Sequence, residues 1–147
     1  MAATERAMNV MLKLPVAFAS SMVAFGALDG LWLTAMSSRL YKPGLGPLLA
    51  DKPNLGAALA FYLLYVGGLV YFAVWPALQT GGWRTALTNG AVLGLVAYGA
   101  YDLTNQATLR IWPAKVTILD LAWGAFASAL AATISYAITA WANRAIG

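Results

Sequence analysis

The chain has 147 residues, of which 61% are hydrophobic and only 10% are charged, and its net charge is +4. So few charges cannot cover the surface of a soluble domain, and the mean hydropathy of +0.70 is typical of a membrane protein. The chain has no cysteine and no histidine, which excludes disulfides, thiol nucleophiles, imidazole bases and most zinc and haem sites. We therefore expect no metal and no cofactor, and a positive charge that suits anionic lipid headgroups better than nucleic acid.

Four apolar runs are each long enough to cross a hydrocarbon layer of ~30 Å as a helix. They cover residues 14–36, 55–78, 86–109 and 116–138, and segments 37–54, 79–85 and 110–115 connect them. The first connection contains several prolines and glycines, so we expect a loop there. The prediction is an all-α fold, an integral membrane four-helix bundle that forms a single transmembrane domain. Basic residues are divided almost evenly between the two sides, which leaves the membrane orientation open.

Small residues at four-residue spacing predict where the helices pack closely. Gly26 and Gly30 form such a pair in the first run, and Gly90 and Gly94 form one in the third. Small side chains let helix backbones approach each other where lipid supplies no hydrophobic drive for association.

Three carboxyl groups lie inside the apolar runs, at Asp29, Asp102 and Asp120. An ionisable group at the centre of a membrane helix costs roughly 3 kcal/mol, so each should face the bundle interior. In an antiparallel bundle, helical rise puts Asp29 and Asp102 about 10 Å and Asp120 about 6 Å inside one membrane boundary. We therefore predict one shared site at a single level. Since three close carboxylates in a low dielectric cannot all ionise cheaply, at least one should stay protonated near neutral pH.

Helical spacing adds aromatic and polar side chains to this level. In the third run, polar residues recur at three- and four-residue steps, and the segments LDGLW and LDLAW repeat an Asp–Trp pair in the first and fourth runs. Two tyrosines near the start of the second run reach the same depth. The predicted ligand-binding or proton-active residues are Asp29, Trp32, Tyr62, Tyr65, Tyr98, Tyr101, Asp102, Asn105, Asp120 and Trp123.

The segments FYLLYVGGL, YDLTNQATL and WPAKVTILDLAWG occur together in this chain. In this the chain resembles a family of small four-helix bacterial inner-membrane proteins, catalogued as a domain of unknown function, twenty-one seventy-seven. The resemblance extends over about residues 29–124 and implies a four-span fold in the bacterial inner membrane. It implies no activity. The signature positions of the family correspond here to Asp29, Trp32, Asp102, Asn105, Pro113, Asp120 and Trp123.

Three functions fit this pattern. The first is binding or transport of a small or amphipathic ligand through a protonatable aspartate, where transport by so few helices would require a homo-oligomer. The second is an intramembrane enzyme whose aspartates act as acid and base on a lipid or isoprenoid. The third is an accessory or assembly subunit, in which the acids join helices at around 1 kcal/mol per contact. Whether the chain is an enzyme stays open, and its expected partners are membrane lipid and the ligand.

Overall fold

The computed structural model describes the backbone of residues 2–146 and the side chains of residues 13–145. Its main elements are α1 (Ala2–Met36), α2 (Lys42–Leu45), α3 (Leu55–Leu69), α4 (Gly82–Thr108) and α5 (Ala114–Ile146). Between residues 2 and 146 there is no strand, and helical turns account for nearly the whole backbone. The all-α prediction is confirmed.

The segment after α1 remains helical for longer than the sequence predicted. A π-helical turn, Ser37–Tyr41, continues from α1, and α2 and a 3-10 turn, Gly46–Leu48, follow it. Pro43 and Pro47 each lie in the first turn of a new helical segment, where the missing N–H of proline costs no hydrogen bond. The predicted loop is therefore wrong for residues 37–48, because these prolines start short helices there.

The chain reverses direction between α3 and α4. Two π-helical turns, Val70–Val74 and Ala77–Gly81, extend α3, and Gly82 then adopts φ +67° and ψ −171°. That backbone conformation is one that residues with a side chain rarely adopt. From there α4 packs back along the π-helical turns, and the Asn89 side chain donates a hydrogen bond to the Phe72 carbonyl at 3.0 Å. Together these segments form an α3–α4 hairpin.

Three helical stretches are long and apolar enough to cross a membrane: Lys13–Leu48, Leu55–Thr108 and Ala114–Ala145. The middle stretch contains the α3–α4 hairpin. Many large apolar side chains on these stretches are exposed on the outside of the bundle, as expected for residues that face lipid. The chain is thus a multi-pass membrane protein by its helix lengths and composition.

The helices α1 and α5 are antiparallel, and two contacts define their register. The hydroxyls of Ser20 and Ser21 are hydrogen-bonded to Ser135 at 2.9 Å, and Trp32 stacks on Trp123 with ring centroids 4.5 Å apart. The same number of residues separates the two contacts along each helix. Any position on α1 can therefore be matched in depth to a position on α5.

The closest helix contact is between α4 and α5, at glycines. A Cβ atom at Gly94 would lie 2.0 Å from the Gly124 carbonyl oxygen, and one at Gly90 would lie 2.6 Å from the Ser128 carbonyl oxygen. These positions therefore need glycine, as the spacing of Gly90 and Gly94 predicted. The corresponding prediction for α1 is wrong, because a Cβ atom at Gly26 would meet nothing within 4 Å.

We expect Gly94→Ala to lower the free energy of unfolding in detergent by roughly 1–3 kcal/mol, because the new methyl group would push α5 away from α4. Gly26→Ala is the matched control, since its methyl group has open space and alanine favours a helix by up to about 1 kcal/mol. Thermal melts of the two variants would measure the difference, and equal melting temperatures would contradict the close contact.

Candidate functional site

A cavity of about 470 Å³ lies at the end of the bundle where α1 leads into α2, and residues from α1, α3, α4 and α5 surround it. We call it the aspartate cavity. Eight of the ten residues predicted for the site line it: Asp29, Trp32, Tyr62, Tyr65, Tyr98, Tyr101, Asp102 and Asp120. The other two, Asn105 and Trp123, do not. Asn105 is half-buried one turn further along α4, and Trp123 stacks on Trp32.

The carboxyl group of Asp120 is held by a tyrosine from outside the predicted spans. The Tyr41 hydroxyl donates to Asp120 Oδ1 at 2.6 Å and accepts a hydrogen bond from Trp32 Nε1 at 2.8 Å. These two hydrogen bonds join the π-helical turn after α1 to both α1 and α5. Hydrogen bonds that end on a carboxylate are roughly twice as strong as neutral ones, so Asp120 has a strong partner within the protein.

Asp29 also has a tyrosine partner, on α3. The Tyr62 hydroxyl donates to Asp29 Oδ2 at 2.5 Å, and the Asp29 side chain is buried. One turn further along α3, the Tyr65 hydroxyl is hydrogen-bonded to Ser128 of α5 at 2.7 Å. The two tyrosines thus connect α3 to α1 and to α5, and each of these polar groups is satisfied within the bundle.

Asp102 differs from the other two aspartates because its carboxyl group has no partner. The residue is 0% exposed, and neither of its side-chain oxygens has a hydrogen-bond partner within the part of the chain whose side chains are described. Buried polar groups in proteins are almost always hydrogen-bonded, and leaving one unpaired costs about 1–3 kcal/mol. Asp102 is one of the residues that line the aspartate cavity, although its two carboxyl oxygens have almost no exposed surface there.

The three carboxyl groups line one cavity, and the register of α1 and α5 relates the backbone depths of two of them. Asp120 lies one turn before Trp123, so the register places it opposite Ala35 of α1, about 9 Å along the axis from Asp29 by helical rise. The aspartate cavity therefore extends along the bundle, and the depth shared by all three carboxyl groups stays a prediction. Among the described residues, no group of three potential ligands is close enough to hold a metal ion.

Five lining residues were missed by sequence reasoning: Leu33, Tyr41, Ala58, Phe61 and Ala97. Tyr41 lies in a segment read as a loop, and only the π-helical turn brings it back to α5. Phe61 had a usable signal, because it precedes Tyr65 by one helical turn and the two rings stack with centroids 5.3 Å apart.

Fold and cavity together define a helical multi-pass membrane protein with a cavity of acidic and aromatic side chains. Residues 14–137 match the family model described as predicted membrane protein, DUF2177, so the chain belongs to that family. The resemblance noted in the sequence is thereby confirmed. The comparisons with curated proteins and with solved structures found no match.

We expect Tyr41→Phe to lower the free energy of unfolding by about 1–3 kcal/mol, because Asp120 would lose its buried donor and Trp32 its acceptor. Tyr71→Phe is the matched control, since Tyr71 is 70% exposed and makes no such contact. Urea or thermal unfolding in detergent measures the stability of both variants. If Tyr41→Phe is as stable as Tyr71→Phe, the hydroxyl does not hold this part of the bundle together.

We expect Asp102→Asn to be at least as stable as the wild-type protein, because it removes a buried carboxyl group that has no partner while keeping its shape. Asp120→Asn should instead be less stable by about 1 kcal/mol, since it weakens the hydrogen bond from Tyr41. Melting temperatures under identical conditions compare the two. A larger loss for Asp102→Asn than for Asp120→Asn would mean that Asp102 holds the helices together.

Proposed function

We propose that this chain is a four-span protein of the bacterial inner membrane that binds a small or amphipathic ligand in the aspartate cavity. The Asp102 carboxyl group is the polar contact for that ligand. The observation that carries this proposal is the burial of Asp102 on the cavity wall without a partner. Selection rarely keeps such a group in an apolar helix unless it acts on something, because its burial costs stability.

The α3–α4 hairpin supports four spans. Residues 55–81 and α4 each contain enough helical turns to extend about 40 Å, which exceeds the ~30 Å hydrocarbon thickness. The turn at Gly82 separates them, and each then runs the length of the bundle in its own direction. The first and last spans are α1 and α5. Membership of a family of predicted membrane proteins agrees with a location in the membrane.

The walls of the aspartate cavity suggest the chemistry of the ligand. Most of them are aromatic or aliphatic, and Phe61 and Tyr101 are also exposed on the outside of the bundle, so the cavity reaches the lipid-facing surface. A ligand with an apolar body and a cationic or hydrogen-bond-donating group matches this lining. Its body would pack on the aromatic rings, and its polar group would meet Asp102, where ring faces also favour a cation.

The geometry favours binding over the two alternatives. The acid–base enzyme predicted from the sequence uses two aspartates, but one oxygen of Asp29 and one of Asp120 each accept a hydrogen bond from a tyrosine, and only Asp102 has both oxygens unpaired among the described residues. A purely structural role suits Asp29 and Asp120, which join helices, but not Asp102. Transport remains a form of the same binding function, and it would require a second copy of the chain.

Hexylamine tests the proposal, with hexanol as the neutral probe of equal tail length. We expect hexylamine to raise the melting temperature of the detergent-solubilised protein more than hexanol does, because its ammonium group makes a charge-assisted hydrogen bond to Asp102 that is stronger than one from the neutral hydroxyl of hexanol. Asp102→Asn should weaken hexylamine binding on the order of tenfold, which corresponds to a charge-assisted hydrogen bond.

Asp51→Asn is the control, since Asp51 is an exposed carboxylate outside the cavity, and it should bind hexylamine as the wild type does. Titration calorimetry on the three proteins gives the affinities. The proposal fails if the wild type does not distinguish the two probes, or if Asp102→Asn and Asp51→Asn bind hexylamine equally well.

A further inference from the structure

A second cavity, of about 520 Å³, lies at the opposite end of the bundle from the aspartate cavity. Lys13 at the start of the apolar part of α1 and Arg144 in the last turn of α5 both line it, together with Asn143, Trp83 and Tyr136. We call it the basic cavity. None of its lining residues takes part in the aspartate cavity, so the two sites are independent.

The helix register explains why the two cations lie on one cavity. Lys13 lies two helical turns before Ser20 on α1. Because α5 is antiparallel to α1, the position on α5 at the depth of Lys13 lies two helical turns after Ser135, next to Asn143 and Arg144. Both side chains therefore lie about 10–14 Å from the serine contact along the bundle axis. Two helices thus present one cation each at the same depth.

The basic cavity has no acidic residue among those that line it. All four aspartates of the chain, Asp29, Asp51, Asp102 and Asp120, belong to the opposite end, and Glu5 precedes the described side chains. A third cation, Arg84, lies over the Trp83 ring at 5.5 Å from its centroid. Among the described side chains, all the acidic ones thus lie at the other end of the bundle, whereas this end has Lys13, Arg84 and Arg144 and no acidic residue.

We infer that the basic cavity binds the phosphate group of an anionic phospholipid. Lys13 and Arg144 would contact the phosphate oxygens, and Asn143 and Tyr136 can donate further hydrogen bonds. Trp83 and Tyr136 are residue types enriched at the headgroup level, and the apolar Leu78 wall suits the start of an acyl chain. Basic pockets between membrane helices are known to hold such headgroups.

The test adds phosphatidylglycerol or phosphatidylcholine to the full chain in detergent and measures the melting temperature and the bound lipid by native mass spectrometry. We expect phosphatidylglycerol to bind on the order of tenfold more tightly than phosphatidylcholine. The double variant Lys13→Gln/Arg144→Gln should lose this preference. The control variant Lys42→Gln/Arg110→Gln removes the same amount of charge from residues outside both cavities, and it should keep the preference for phosphatidylglycerol.

Three outcomes would overturn the inference: equal binding of the two lipids, a lipid preference that survives Lys13→Gln/Arg144→Gln, or its loss in the control variant as well. Glycerol phosphate is included as the soluble source of the same group. If it competes with phosphatidylglycerol at similar concentration, the site takes a free phosphate ester and the lipid assignment is wrong.

A second measurement needs no variant. Amine-reactive labelling of the wild-type protein, read by mass spectrometry, reports the accessibility of Lys13 against that of Lys115 at the other end of the bundle. We expect phosphatidylglycerol to slow the labelling of Lys13 several-fold more than that of Lys115, and phosphatidylcholine to slow neither. Equal protection of both lysines would indicate attraction to the lipid surface alone and would contradict a site at the basic cavity.

Discussion

A carboxyl group that is buried in an apolar bundle needs a polar partner, and the arrangement of this protein follows from how its three buried aspartates meet that need. Two of them are paired with tyrosines from other segments, so that Asp120 holds the turn after α1 against α5 and Asp29 holds α3 against α1. These contacts close the bundle around an aromatic cavity. The third, Asp102, is one of the residues that line that cavity, and neither of its oxygens has a partner among the described side chains; the proposed binding function rests on this difference.

Close packing of α4 on α5 is what places Asp102 there. Gly94 lies against the Gly124 carbonyl group, and a Cβ atom at Gly124 would lie 2.3 Å from the Tyr98 ring, so the absence of a side chain at Gly124 makes room for that ring between the helices. Tyr98 then lies on the cavity wall one turn before Asp102 on α4. The glycines therefore act on the site through the helix spacing, although none of them lines the aspartate cavity.

Sequence reasoning predicted the parts of the structure that depend on periodicity. Run length and polarity predicted helices in a membrane, and the antiparallel order of the helices brought Asp29, Asp102 and Asp120 to one cavity. It failed where the backbone departs from a regular α-helix. The π-helical turn that returns Tyr41 to Asp120 has no marker in SSRLY, and the chain through Pro43 reads as a loop although it is helical.

The spacing of residues along the sequence could not show which aspartates have a hydrogen-bond partner. It also could not show which small residues pack against another helix. Asn105 was predicted to share the face of Asp102, but it lies one turn further along α4 and does not line the cavity. Gly26 and Gly30 have the same spacing as Gly90 and Gly94, yet only the latter pair meets another helix, since packing depends on which face the neighbour occupies. These distinctions need coordinates of the neighbouring helix.

The most direct test of the central claim is an experimental structure of the wild-type protein, crystallised from a lipid phase at a resolution that shows bound molecules. The account predicts density for a non-protein molecule within hydrogen-bond distance of the Asp102 carboxyl oxygens, in contact with the aromatic rings of the aspartate cavity. A map in which a side chain or backbone N–H of the protein itself occupies that position, with no other molecule in the cavity, would contradict it.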